Sequence, residues 1–199
     1  AHMDSIPMIV ISGQVSRQYV GSDAFQEADA TGITRPICKH NFLINDRESI
    51  ADTFRKAFII ATTGRPGPVI IDIPKDLTDP NVKIEFEYKK NIKIRSYKMK
   101  TNEDGNKIEE AAKILCSAKK PMIYSGGGVI LSKASKELIK LTKLLNYPIT
   151  NTLMGLGAYP SSDNQFLGML GMHGTYEANM AMHDSVSYTH LRAHETRTN

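Results

Sequence analysis

Short apolar runs closed by turn residues, alternating with stretches of helical period, organise this chain. Met8-Ile9-Val10-Ile11 ends on Ser12-Gly13, and Val69-Ile70-Ile71 lies between Gly64-Arg65-Pro66-Gly67-Pro68 and Pro74. Runs of this length, rich in β-branched residues and bounded by Gly and Pro, are the pattern of buried parallel strands. A further strand is expected around Ile37 to Lys39. Between it and Val69, Asp46 can cap a helix in which Ile50, Phe54, Ala57, Phe58 and Ala61 share one face, with Gly64 ending it. Residues 14 to 35 carry no long period and are rich in Gly, Ser, Asp and Gln, which predicts a long loop holding one short helix; loops of that length are usually sites rather than filler.

From Leu77 to Gly105 the pattern gives way to charged, weakly alternating sequence in which Val82-Lys83-Ile84-Glu85-Phe86 is the one candidate strand. It predicts an interdomain linker laid over a surface. Asn106, three residues before Glu109, has the spacing of a capping box ahead of Ile108, Ala111, Ala112 and Leu115 at helical period. Pro121-Met122-Ile123-Tyr124-Ser125 then predicts a strand, Gly126-Gly127-Gly128 a turn at its carboxyl end, Ser132 to Asn146 an amphipathic helix and Pro148-Ile149-Thr150-Asn151 a second strand. That is a βαβ unit with glycines at its first turn, and the class is α/β with parallel sheets in three-layer domains.

With 41% apolar residues in 199, the chain can bury real cores in one large domain or two smaller ones. No run approaches the roughly 18 apolar residues of a membrane span, and the start, Ala1-His2-Met3-Asp4, has no basic-then-apolar signal pattern, so the expected setting is the cytoplasm without a membrane partner. Cys38 and Cys116 stand far apart with no companion ligands, which argues against disulfides and zinc and for two small buried apolar residues. The net charge of +4 is spread along the chain, and its densest patch, Lys83 to Lys100, is mixed with Glu85 and Glu87; a nucleic-acid partner is not expected.

Two places suggest chemistry. Ligands of open α/β sheets bind outside the carboxyl ends of the strands, which is where Lys75 follows Pro74; taken alone, a lysine there is more often a solvated charge. Gly126-Gly127-Gly128 lets a backbone approach a phosphate and offer it N–H groups, yet without the spaced glycines of a dinucleotide fingerprint a plain tight turn is about equally expected.

Read with Gly13-Gln14-Val15, Asp23-Ala24-Phe25-Gln26-Glu27, Lys39-His40-Asn41-Phe42 and Gly171-Met172-His173-Gly174-Thr175, the stretch Gly64 to Asp76 resembles the large, catalytic subunit of acetolactate synthase, a thiamine-diphosphate enzyme family. The resemblance runs from about Ala1 to Asp184 and implies an internal fragment. It implies the later half of the pyrimidine-binding domain at 1 to 76, a linker at 77 to 105 and the first half of a central FAD-binding domain at 106 to 184, so that both domains are incomplete. Implied cofactors are thiamine diphosphate, Mg²⁺ and FAD. Implied partners are 2-keto acid substrates, further large subunits in a homodimer or tetramer, and a small regulatory subunit.

The same resemblance places Phe25 and Gln26 at the substrate and thiazolium end of the site, as an aromatic wall and an amide donor, and Lys75 at the mouth of the substrate channel. It places Arg65, Gly126, Gly127, Gly128, Thr152, Leu153, Met154, His173, Gly174 and Thr175 against FAD. His40 is as readily a buried structural residue. Ser16 departs from the proline usual after Gly-Gln-Val, at a position that lines the family's herbicide pocket. The activating glutamate and the metal-held diphosphate site of the family have no counterpart in these residues, and the fragment alone is expected to be inactive. After Asp184 the likeness stops, and residues 185 to 199 are expected to be foreign to the fold and disordered. The competing readings are another thiamine-diphosphate enzyme of the same fold, such as glyoxylate carboligase or pyruvate oxidase, and a non-catalytic nucleotide-binding module built on the glycine triplet alone.

Overall fold

The computed structural model describes residues 1–84, 92, 94, 105–185 and 187–191, of the last five the backbone alone. The chain divides into two compact units, Ala1–Met99 and Lys100–Asn199.

In the first unit, β1 (Met8–Gln14) leads through a long loop to α1 (Ala30–Thr34), then β2 (His40–Leu43), α2 (Ser49–Thr62) and β3 (Pro68–Pro74). The three strands form one parallel sheet in the order β1-β3-β2, with Ile9 opposite Val69 and Phe42 opposite Ile71. β3 is central because its apolar run serves both faces: Val69 and Ile71 are fully buried, and Ile70 nearly so. Ile44, Ala57, Ile60, Ala61 and Leu77 close the core around them, with Ile50 and Phe54 of α2 packed at its margin. Asp46 accepts from the Ser49 amide at 2.7 Å, but the cap residue of α2 is Glu48, two positions later than the sequence predicts. Phe58 departs from the expected face and is 60% exposed, because it stands one residue past Ala57, turned about 100° from the buried stripe.

The expected strand at Ile37 to Lys39 lies further on. Pro36 draws Arg35–Ile37 into a 3₁₀ turn, and pairing begins only at His40, after the Lys39 amide has reached the Pro68 carbonyl at 2.7 Å. Val82, Lys83 and Ile84 form no strand, and the rest of that candidate lies outside the described residues. Ile94, in the expected linker, packs against the first unit's core.

The second unit runs α3 (Gly105–Ser117), β4 (Pro121–Ser125), α4 (Gly127–Leu131), α5 (Ser135–Leu145), β5 (Ile149–Asn151), β6 (Phe166–Met169), α6 (Tyr176–Asp184) and β7 (Ser187–Leu191). Its parallel sheet has the order β6-β5-β4-β7. The predicted βαβ unit is there, with Ile123 opposite Ile149; the expected helix from Ser132 begins at Ser135 as α5, and the expected glycine turn is corrected, since Gly127 and Gly128 open the short helix α4. Asn146 ends α5 in the left-handed conformation, φ 53°. Ile123, Val129, Leu138, Ile149, Ala158 and Tyr159 make the core. α3 begins at Gly105, so Asn106 sits within its first turn, and none of its residues is buried: Ile108 is 54% and Ile114 62% exposed. Cys116, expected to be buried, is exposed on this helix, in which Leu115 is half-buried, while Cys38 is buried as predicted.

The expectation for residues 185 to 199 is corrected in part. Ser187–Leu191 is a strand running parallel to β4, Pro121 opposite Ser187 through Ser125 opposite Leu191. β4 would otherwise end the sheet with unpaired N–H and C=O groups, and such an edge needs only a backbone to pair with. Residues 192 to 199 lie outside the described residues.

Candidate functional site

The carboxyl end of the first sheet gathers three of the predicted residues on loops. Lys75 is the first residue beyond β3 and is exposed. Its neighbour Asp76 is pinned from the β1 side: the Arg17 amide donates to Oδ1 at 2.9 Å, and Arg17 Nε donates to Oδ2 at 2.7 Å. The backbone bond from Arg17, then its side-chain bond, hold the Asp76 carboxyl below the ordinary aspartate range. A depressed carboxyl keeps its tie above the ordinary pKa and loses it as pH falls through the lowered one. The Asp76 carboxyl carbon, followed by NMR, is thus expected to titrate below an unpaired aspartate. Arg17→Gln should move the midpoint upward without restoring the free value, since the amide contact persists; an unmoved midpoint would contradict the assignment.

Phe25 and Gln26 stand on the loop between β1 and α1. Phe25 is 90% exposed, and Gln26 takes a left-handed backbone, φ 65°. The loop is fastened to the sheet by Gln14 at the end of β1. Its Nε2 donates to the Ala28 carbonyl at 2.7 Å and to Asp72 Oδ2 at 2.9 Å, while its Oε1 accepts from the Val15 amide. Asp72 is 1% exposed, and its second oxygen is buried without a partner among the described residues. Arg65 is not brought to this end. It precedes β3, at the amino end of the sheet, where Nε donates to Ser5 Oγ at 2.8 Å and a terminal nitrogen donates to the Met3 carbonyl at 3.0 Å. His40 meets Phe42 edge to face at 4.4 Å, a packing contact.

In the second unit the three predicted segments do come together, at the carboxyl ends of the adjacent strands β4, β5 and β6. Gly126–Gly128 follows β4, Thr152–Met154 follows β5 and His173–Thr175 closes the loop after β6. Contact between the first two is at backbone distance: a Cβ on Gly127 would lie 2.9 Å from the Met154 carbonyl oxygen, and one on Gly155 would lie 2.5 Å from that of Ser125. Thr152 accepts from the Gly155 amide at 3.0 Å and turns the chain there. After β6, a Cβ on Gly174 would sit 2.1 Å from the Met169 carbonyl oxygen, and Thr175 caps α6 by accepting from the Ala178 amide at 3.3 Å. His173 is exposed. Leu153, Met154, Leu156 and Met172 on these loops are 69%, 49%, 45% and 90% exposed. Backbone amides beside apolar side chains suit a ligand with a phosphate and a flat aromatic ring. Beneath them Asn151 is fully buried; its Oδ1 accepts from Ser125 Oγ at 2.9 Å, and its Nδ2 has no partner among the described residues.

Comparison with known proteins gives this end of the sheet its context. Residues 108–185 match the model of the thiamine pyrophosphate enzyme central domain. The acetolactate synthase large subunit of Haemophilus influenzae is 55% identical over 185 residues, 93% of this chain and 32% of that protein. The acetolactate synthase isozyme 3 large subunit of Escherichia coli is 48% identical over the same span. The second unit thus matches a thiamine pyrophosphate enzyme central domain, and the chain as a whole is similar to acetolactate synthase large subunits. A solved structure of a Mycobacterium smegmatis protein assigned to the thiamin diphosphate-dependent enzymes superposes with a TM-score of 0.70 at 24% identity, covering 86% of this chain and 32% of that one, and so shares the fold. The chain spans about a third of the length of the acetolactate synthase large subunits it matches.

Gln14, Glu27, Asp72 and Asn151 are the residues at these strand ends that sequence reasoning passes over. Gln14 and Asp72 are 58 positions apart, and only the parallel register of β1 and β3 reveals the link. Glu27 belongs to the motif Asp23-Ala24-Phe25-Gln26-Glu27, which by itself gives it no role. Among the described residues no group of three acidic, histidine or cysteine side chains could hold a metal ion, and no helix is long and apolar enough to cross a membrane.

Proposed function

We propose that this chain is a segment of an acetolactate synthase large subunit, and that the whole protein joins pyruvate to a second 2-keto acid with loss of carbon dioxide, in the cytoplasm, as a step toward branched-chain amino acids. The observation that carries the reading is the 55% identity with the Haemophilus influenzae large subunit along 185 residues. Thiamine diphosphate, when bound, supplies the electron sink for the decarboxylation. Phe25 gives the small acceptor an aromatic wall, Gln26 donates its amide to the oxygen on which charge develops, and the Lys75 ammonium draws carboxylates toward the sheet's carboxyl end. Gly126–Gly128, Thr152–Met154 and His173–Thr175 fit FAD, because amides and exposed apolar side chains share that end of the second sheet. No residue of this chain is assigned to Mg²⁺. The 199 residues alone make no acetolactate on this reading, since activity resides in a protein about three times as long.

The test is a chimera in which residues 1–184 replace the matching segment of the Haemophilus influenzae subunit. It is expected to form acetolactate from pyruvate and to retain flavin at near one per chain. A folded chimera that carries thiamine diphosphate yet forms none would overturn the reading, and acetolactate made by the 199-residue chain itself would overturn the assignment of activity to the longer protein.

A further inference from the structure

The apex of the loop that carries Phe25 and Gln26 is tied by one carboxylate. Glu27 Oε1 accepts from the Gly21 amide and Oε2 from the Ala24 amide at 3.1 Å, while the Glu27 amide donates to the Ala24 carbonyl at 2.9 Å. Residues 21 to 27 thus close into a ring around their own last side chain. Three members of the ring take left-handed backbones: Gly21 at φ 85°, Asp23 at 57° and Gln26 at 65°. Asp tolerates that conformation better than most residues, whereas for Gln26 it is unfavourable by itself and persists only where surrounding contacts impose it. Apolar packing does not impose it, because Phe25 points outward at 90% exposure. The second fastening, Gln14 to the Ala28 carbonyl, anchors the end of the loop and leaves its apex to Glu27.

We propose that Glu27 is a positioning residue: its carboxylate holds the backbone of residues 21 to 26 so that Phe25 and Gln26 face outward in the arrangement the reaction uses. The inference rests on the functional reading above, in which those two side chains meet the substrate. Its physical content is pre-organisation. A donor that must first be ordered loses part of its benefit to the cost of ordering, and a small misplacement is enough to slow a positioned reaction. The role assigned to Glu27 is exerted through the amides of Gly21 and Ala24.

Two measurements test it. In the 199-residue chain, amide exchange by NMR should show Gly21 and Ala24 exchanging about tenfold faster in Glu27→Ala, the scale of one lost hydrogen bond, with β3 amides unchanged. Glu27→Gln keeps a single acceptor oxygen and should protect one of the two amides. In the chimera, Glu27→Ala should lower kcat by about 10- to 100-fold, with Glu27→Gln falling between it and the parent. Unchanged exchange at both amides would overturn the proposal. So would unchanged kcat in Glu27→Ala while Gln26→Ala is impaired, an outcome that leaves the functional reading standing. If Gln26→Ala is also silent in an active chimera, Gln26 leaves the site and the positioning role falls with it, while the acetolactate synthase reading stands.

Discussion

Replacing Gly155 or Gly174 by alanine is expected to destabilise the second unit by about 1–3 kcal/mol, the range for overpacking a close-fitted interior. The added methyl has no soft neighbour to push aside. At 155 it would lie 2.5 Å from the Ser125 carbonyl oxygen and 3.0 Å from the Gly126 Cα, and at 174 it would lie 2.1 Å from the Met169 carbonyl oxygen. Relief requires the carboxyl ends of β4 and β5, or the loop after β6, to move as backbone, which also spreads the proposed flavin cradle. Chemical denaturation of the chain, monitored through the second unit, gives the measurement. Gly105→Ala is the control: its Cβ meets nothing within 4 Å in the first turn of α3, and alanine there should be neutral or stabilise by up to about 1 kcal/mol. Equal effects at 105 and 155 would show that the close approach is not what the glycines serve.

The second large effect is catalytic. In the active chimera, Gln26→Ala should lower turnover by about 10- to 1000-fold, the scale of losing one donor aimed at developing charge. Lys75→Ala should act differently, raising KM for pyruvate more than it lowers kcat and flattening the salt dependence of kcat/KM, since an exposed ammonium works through a field that salt screens. Its loop is braced independently of the ammonium: Asp76 is tied to Arg17, and Arg47 donates to the carbonyls of Asp76 and Leu77. Removing the charge therefore leaves the backbone in place. A chimera indifferent to both substitutions would remove these residues from the site without touching the fold.

How much the sequence discloses tracks how locally each feature is encoded. β3 is legible from end to end because Pro68 and Pro74 bracket an apolar run that serves both faces of the sheet. β4 is legible for a similar reason, standing between Lys120 and the glycine triplet. β6 is not: Phe166-Leu167-Gly168-Met169 has no β-branched residue, and Gly168 at φ 92° interrupts what periodicity four residues can show. The apolar period of α3 is real, yet Ile108, Ala111 and Ala112 are exposed and only Leu115 is half-buried, since a period reports a capacity to pack and not the surface packed against. The family motifs pick out Phe25, Gln26 and Lys75 as residues and cannot show that Arg65 stands at the other end of its sheet, a matter of strand direction. The ring around Glu27 is local in sequence, yet it depends on a left-handed backbone at Gln26 that this residue type does not announce.

The strand Ser187–Leu191 lies beyond the end of the family match at residue 185 and nevertheless takes a full place beside β4. A border of this kind recognises an extended main chain and is blind to its spelling. Genes that are cut and rejoined at such a border can therefore exchange the downstream segment and still hand the same scaffold a finished outer strand, which makes the seam after α6 a natural crossover point for building hybrids of these subunits.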